Sequence, residues 1–243
     1  MNKVTFINHS GYLLETEDTY FLFDYYNGEL PEFDSKKAIV VFVSHRHEDH
    51  YNPEIFTLVK KYPQVQYVIA KGTPIKRHVI TYEEQGIDLS AHILLIRKNT
   101  EEKIRLSNGK ELTITALRST DIGVAFLLSY EQKTYYHAGD LHLWLWDGED
   151  KQFNENMAKK YDTEMEKLKG MSIDIAFVPL DGRQGKYVFA GLESFLECTR
   201  ATCVFPMHMW GEFGVIEEFL KAHPTYSDRI MRVENPGQEW SIP

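Results

Sequence analysis

A chain of 243 residues that is 43% hydrophobic and 13% aromatic carries enough apolar surface for a sizeable core, and its 26% charged residues exclude neither folding nor solubility but do exclude a low-complexity, disordered chain. The formal net charge of −9 makes the surface as a whole repel nucleic acid, and the basic pairs Lys36-Lys37 and Lys159-Lys160 are short and scattered, so no nucleic-acid partner is expected. No apolar run approaches the ~20 residues of a membrane helix, and Met1 to Phe6 lacks a basic region with an apolar signal core, which predicts no membrane partner and a cytoplasmic location.

No Pro/Gly/Ser-rich linker or repeat interrupts the chain, so residues 1–243 read as a single domain. Short alternating or apolar runs at residues 4–6, 12–15 and 20–24, separated by polar pairs and a glycine, predict an antiparallel meander. Ala38-Ile39-Val40-Val41-Phe42-Val43 is a continuous apolar strand of the kind buried on both faces. It ends abruptly in Ser44-His45-Arg46-His47-Glu48-Asp49-His50, which places that polar cluster in a loop at a strand's C-terminal end. Asn52-Pro53 reads as an N-cap followed by Pro at the first helical position, leading into a helix over residues 54–62 with Ile55, Leu58 and Val59 on one face. A strand at 65–70, a segment at 73–85 and a strand at 92–96 make a second βαβ-like unit. Asn108-Gly109 marks a hairpin between 103–106 and 111–117, and a polar turn at 131–133 separates strands at 124–130 and 134–136. After a polar helix over 150–169, strand and helix alternate through 173–178, 190–197, 202–205 and 215–222. Two sheet-rich halves, each with its own helices, predict helices packed outside a pair of facing sheets.

The run His45-x-His47-x-Asp49-His50 packs three imidazoles and a carboxylate into six residues. Imidazole nitrogen and carboxylate oxygen are the ligands a borderline divalent metal prefers, and several on one loop can serve two adjacent ions. One ion could take His45 and His47, the other Asp49 and His50. The two cysteines, Cys198 and Cys203, follow no zinc-knuckle spacing and are read as buried hydrophobes.

This motif is the signature of the metallo-β-lactamase superfamily, and the resemblance extends along the chain. Asp24 resembles the family's aspartate that buttresses the metal loop, Tyr136-His137-Ala138-Gly139-Asp140 the strand end whose aspartate bridges both metals, and Pro206-Met207-His208 the segment whose histidine completes the second site. The resemblance implies an α/β fold, the four-layer αβ/βα sandwich. Among branches, the segments Asn8-His9-Ser10-Gly11, His137 to Asp140 and Pro206 to His208 look most like the ascorbate-6-phosphate-lactonase-like hydrolases. Where relatives place a third histidine for the first metal, this chain has Ser119-Thr120-Asp121-Ile122-Gly123. Asp121 is the best chemical substitute, with Ser119, Thr120 or a water as alternatives.

Other candidates lie outside the ligand set. His142 and His9 are read as substrate-facing or as ordinary loop residues, and His137 as an orienting or a core histidine. Arg183, in the loop after the strand at 173–180, is either a bidentate clamp for a carboxylate or phosphate or a solvated turn residue. Trp144 and Trp146 read as core or lid packing.

The function implied is a metal-dependent hydrolase acting on a small anionic ester, lactone or phosphoester through a metal-bridging hydroxide. Its cofactors would be two divalent ions, zinc or manganese, with iron as a further possibility. Asp49 and Asp140 would orient the hydroxide and bridge the ions, and Arg183 or His142 would hold the anionic end. The alternatives are an iron-binding oxidoreductase on the same ligands, or a metal-binding protein without catalysis.

Overall fold

The computed structural model describes residues 1–242. Strands β1 (Asn2–Asn8), β2 (Gly11–Glu15) and β3 (Thr19–Phe23) form the antiparallel meander, and β3 then pairs in parallel with β4 (Ala38–Val43), followed by β5 (Gln66–Ala70) and β6 (Ile93–Ile96). The second sheet repeats this plan. β7 (Thr100–Arg105), β8 (Glu111–Arg118), β9 (Val124–Tyr130) and β10 (Lys133–His137) are antiparallel, and β11 (Ser172–Pro179) and β12 (Arg200–Met207) continue in parallel from β10.

Side-chain alternation along β4 shows how the layers arise. Ala38, Val40 and Phe42 point into the core between the sheets, while Ile39, Val41 and Val43 join a second core with Ile55, Phe56, Val59 and Tyr62. A strand sandwiched in this way must be apolar at every position, which accounts for the unbroken run in the sequence. β10 does the same in the other sheet: Tyr135 meets Phe21 across the sandwich, and Tyr136 stacks on Phe195 at 5.3 Å. That outer layer is built by α3 (Lys151–Leu168) and α4 (Ala190–Cys198), while the first sheet carries α1 (Leu58–Lys61) and α2 (Lys76–Glu84). A last helix, α5 (Gly214–Ala222), seals its apolar face against the main core with Val215, Ile216, Phe219 and Leu220. The result is the expected four-layer αβ/βα sandwich. Among the described residues no helix is long and apolar enough to cross a membrane.

Three local differences have physical causes. The helix expected over 54–62 is a 3-10 turn, Pro53–Thr57, followed by the single α-turn α1. Asn52 caps it as expected, accepting from the Glu54 amide at 2.9 Å, but the Thr57 hydroxyl donates back to the Glu54 carbonyl and favours the tighter winding. β7 starts at Thr100, before the expected strand, because its partner β8 is long enough to pair with it. A C-terminal strand, β13 (Glu239–Ile242), was not foreseen and adds to the free edge of β1.

β1, β3, β4, β10 and β12 all deliver their C-terminal ends to one rim of the sandwich. That rim gathers His9, Asp24, the 45–50 loop, Asp140 and His208.

Candidate metal centre

Asp24, fully buried, organises the metal-type loop from below. Its carboxylate accepts from the Ser44 amide at 2.7 Å, the Ser44 hydroxyl at 2.5 Å and His50 Nδ1 at 2.8 Å. Because the Ser44 hydroxyl donates to Asp24, it accepts from His45 Nδ1 at 2.9 Å. Both imidazoles are thereby held as tautomers whose Nε2 lone pairs face away from Asp24. Asp181 does the same for His208, taking its Nδ1–H at 2.9 Å. His137 is a core residue: Nε2 donates to the Ser10 carbonyl, Nδ1 accepts from the Gly139 amide, and the ring stacks on Phe23.

Two glycines let the loops close over Ser44. A Cβ on Gly123 would stand 2.0 Å from the Ser44 carbonyl oxygen, and one on Gly139 would stand 2.7 Å from Ser44 Cβ; both residues have positive φ.

The Nε2 atoms so oriented converge with carboxylate oxygens in two groups. His45, His47 and Asp140 form one, and His9, Asp49, His50 and His208 the other, each with its candidate ligand atoms within 4.8 Å of one another. Asp140 reaches both: Oδ2 is 3.3 Å from His45 Nε2, while Oδ1 is 3.1 Å from His50 Nε2 and 3.6 Å from His208 Nε2. Asp49 Oδ2 stands 3.2 Å from His9 Nε2 and 3.7 Å from His50 Nε2. These approaches do not have hydrogen-bond geometry. His9 Nε2, His50 Nε2 and Asp140 Oδ1 are buried with no hydrogen-bond partner. Buried polar atoms left in that state are costly, and lone pairs aimed at a common point are what a cation satisfies. The donor set of imidazole and carboxylate therefore fits divalent ions. Burial would raise the Asp49 carboxyl, but His9 and His50 outweigh it and hold it well below the usual range. The Asp140 carboxyl is likewise low, against burial, through the charge of His50 and its contact with His45.

The remaining expected residues are distributed unevenly. Asp121 lies at the mouth of the first group, half-exposed, with Oδ2 3.9 Å from His47 Nδ1. The Thr120 hydroxyl is already used, donating to the His142 carbonyl at 2.6 Å and accepting from its amide, so Thr120 is a latch and not a free donor. The Ser119 hydroxyl accepts from the Asp121 amide at 3.2 Å. His142, for which a substrate-facing place was one expectation, does not face a substrate. It is fully buried, with Nε2 bonded to Gln184 Oε1 at 2.9 Å and the ring packed against Gly191, and burial lowers its pKa to about 4. It has no path to a substrate. Arg183 also differs from the expected clamp: its guanidinium already makes the bidentate pair, with Asp181, and lies 4.7 Å over the Trp210 ring.

Two residues at the site have roles that were not assigned from the sequence. Asp181, beside the candidate Arg183, has one sequence signal, an acidic residue just past a strand's end. His9, read from the sequence as substrate-facing or an ordinary loop residue, joins the second ligand group instead, and its left-handed backbone (φ 54°) aims the ring inward.

Beside the two groups opens a cavity of about 320 Å³, walled by Trp144, Trp146, Phe153, Met157 and Trp210 and floored by Asp49, Asp140 and His208. Trp144, expected as packing, donates Nε1–H to the Asp140 carbonyl at 3.0 Å and so fixes the backbone of Asp140 while facing the cavity.

A protein-family profile described as "Beta-lactamase superfamily domain" matches residues 3–208. No curated protein sequence matches the chain. Among solved structures it is similar to Igni18, a metallo hydrolase of the archaeon Ignicoccus hospitalis, with 18% identity, a TM-score of 0.63 and coverage of 100% of this chain and 99% of that one. It is similar to the metallo-beta-lactamase fold protein YhfI of Bacillus subtilis, with 18% identity, a TM-score of 0.56 and coverage of 99% and 100%. It is also similar to CmlA, a diiron beta-hydroxylase of Streptomyces venezuelae, with 12% identity and a TM-score of 0.60, covering 99% of this chain and 54% of that longer one. At these identities the likeness establishes the shared fold.

Proposed function

Since the chain belongs to the beta-lactamase superfamily, we propose that it is a metal-dependent hydrolase of a small anionic ester, lactone or phosphoester. The observation that carries this reading is Asp140, whose two carboxylate oxygens face two separate ligand groups. Two divalent ions, held by His45, His47 and Asp140 and by His9, Asp49, His50 and His208 together with Asp140, would supply Lewis acidity and bring the pKa of a water from 15.7 towards about 7. Asp121 is the proposed further ligand of the first ion, at the open mouth beside His47.

The chain's own residues would do the rest. Asp49, ionised and bordering the cavity, accepts a hydrogen bond from the attacking water and fixes its direction. Trp144, Trp146 and Trp210 enclose the substrate's apolar part and exclude bulk water, which strengthens each electrostatic contact at the reacting carbon or phosphorus. Arg183, neutralised by Asp181, serves as a wall stacked on Trp210 and as a brace for His208.

A second reading, an iron-binding oxidoreductase, takes support from the likeness to CmlA and from a ligand set that iron also accepts. Metal analysis of the purified protein, with turnover against a panel of esters, lactones and phosphoesters under added Mn²⁺ or Zn²⁺, separates the two. Hydrolysis that vanishes on chelation supports the hydrolase. A coloured iron protein with no hydrolysis of any member overturns it.

A further inference from the structure

The two side chains expected to hold a substrate's anionic group are both engaged, Arg183 by Asp181 and His142 by Gln184. Free positive charge lies on the other side of the metal loop. Lys71 follows β5, Arg97 and Lys98 follow β6, and Arg118 closes β8; all four are exposed and line one groove of about 590 Å³. Among the described residues none of the four has an acidic partner. Other cations of this acidic chain are held by carboxylates, Lys37 by Glu15, Lys110 by Asp18 and Lys133 by Asp174, and what sets these four apart is that the fold gathers them, unpaired, on one groove. Like charges kept together repel unless an anion joins them.

The groove borders the metal centre through one shared residue. Its one carboxylate, Asp121, stands at the end nearest His47 and also lines the aromatic cavity. Arg46 and Lys71 border an adjoining recess together with His45, which extends the positive charge to the first ligand group. The reacting centre is thus flanked by an aromatic wall on one side and a cationic groove on the other.

We propose that Lys71, Arg97, Lys98 and Arg118 form the anion subsite of this enzyme and receive a phosphate group of the substrate, whose apolar part lies against the tryptophans. Two guanidinium forks and two ammonium groups suit a doubly charged tetrahedral oxyanion better than a single carboxylate. The inference rests on the hydrolase reading for its place in a reaction, and the groove's affinity for phosphate can be measured apart from it.

The test is calorimetric titration of inorganic phosphate into the protein as purified with its metal. Three forms are compared: wild type, Lys71→Glu/Lys98→Glu, and a control, Lys159→Glu/Lys160→Glu, with the same change in net charge on α3. Lys71 and Lys98 are exposed loop residues, and circular dichroism checks that each variant is folded. The groove variant should bind phosphate at least about tenfold more weakly, and the control should match wild type. Equal affinity in all three forms, or no binding to wild type, overturns the proposal. In parallel, kcat/KM is measured for a phenyl ester bearing a phosphate group and for its uncharged counterpart; wild type should prefer the former, and the groove variant should lose that preference. If no ester is turned over while phosphate binding still separates the variants, the hydrolase reading fails and the groove stands. Turnover with equal preference and equal phosphate affinity has the opposite meaning.

Discussion

Asp140 carries the most chemistry per atom, since each of its oxygens serves a different ligand group, so replacing it should disturb both. Asp140→Ala is expected to lower bound metal at both positions, whereas His47→Ala should cost only the ion of the first group, leaving about one per chain by elemental analysis. Unchanged stoichiometry in both variants would remove the assignment. Asp121 is a more pointed case, because it sits 3.9 Å from His47 Nδ1 and outside the tight group. If it closes the first site, Asp121→Ala loses that ion alone, and Asp121→His restores it with a stronger bias to zinc; retention of both ions and full activity by Asp121→Ala would make it a loop residue only. Asp181 acts through His208 by fixing its tautomer. Asp181→Asn should therefore weaken the second ion by roughly 10- to 100-fold while Asp181→Glu recovers part of the loss, read by competition with a chromogenic chelator.

At the level of elements, the two sheets are tied at both ends by different means. Near the metal rim, Gly123 and Gly139 bring the turns before β9 and after β10 onto Ser44, so that a Cβ at either place meets backbone or side-chain atoms at 2.0 to 2.9 Å. At the opposite end, Asp18, before β3, accepts from Tyr130 of β9 at 2.8 Å and pairs with Lys110 of the β7–β8 turn. Burial raises the Asp18 carboxyl, but the contacts with Lys110, Tyr130 and Thr19 outweigh it, and the folded-state pKa is lowered. A carboxyl lowered on folding contributes stability above its unfolded value of about 3.9, and that contribution is lost as the pH falls through the folded value. Asp18→Asn should thus cost about 1 kcal/mol at pH 7, a figure kept small because the group is partly exposed, and the difference from wild type should close as the pH falls through the folded-state value. Urea unfolding at a series of pH values measures it; a difference that persists at low pH would assign the loss to packing.

Across the whole molecule, the ligand groups draw on four strand ends, of β1 and β4 in one sheet and β10 and β12 in the other, and several of their atoms are buried without partners. Divalent ions bound there would act as a cross-brace between the halves. Chelation is therefore expected to lower the unfolding temperature, with recovery on adding back Mn²⁺ or Zn²⁺, since metal at about 100 times its dissociation constant contributes about 2.7 kcal/mol to the folded state. Differential scanning calorimetry with and without chelator reads this directly. An unfolding temperature indifferent to both treatments would mean that the two ligand groups do not hold metal.

What the sequence determined by itself follows from local patterns. The unbroken apolar run 38–43 required a strand covered on both faces, Asn108-Gly109 required a hairpin, and three histidines with an aspartate after a buried strand required a ligand loop. Those signals are contiguous along the chain, so neighbours in sequence suffice to read them. The tertiary structure alone decided which groups are free to act. Arg183 looked like an anion clamp until Asp181, two residues away, was found holding it, and His142 looked accessible until Gln184 and Gly191 closed around it. Conversely, Lys71, Arg97, Lys98 and Arg118 are separated by up to 47 residues and read as scattered charge, yet the ends of β5, β6 and β8 set them around one groove. Whether a charge is spent or available depends on partners brought in by the fold, and strand pairing over long separations leaves no local trace of that.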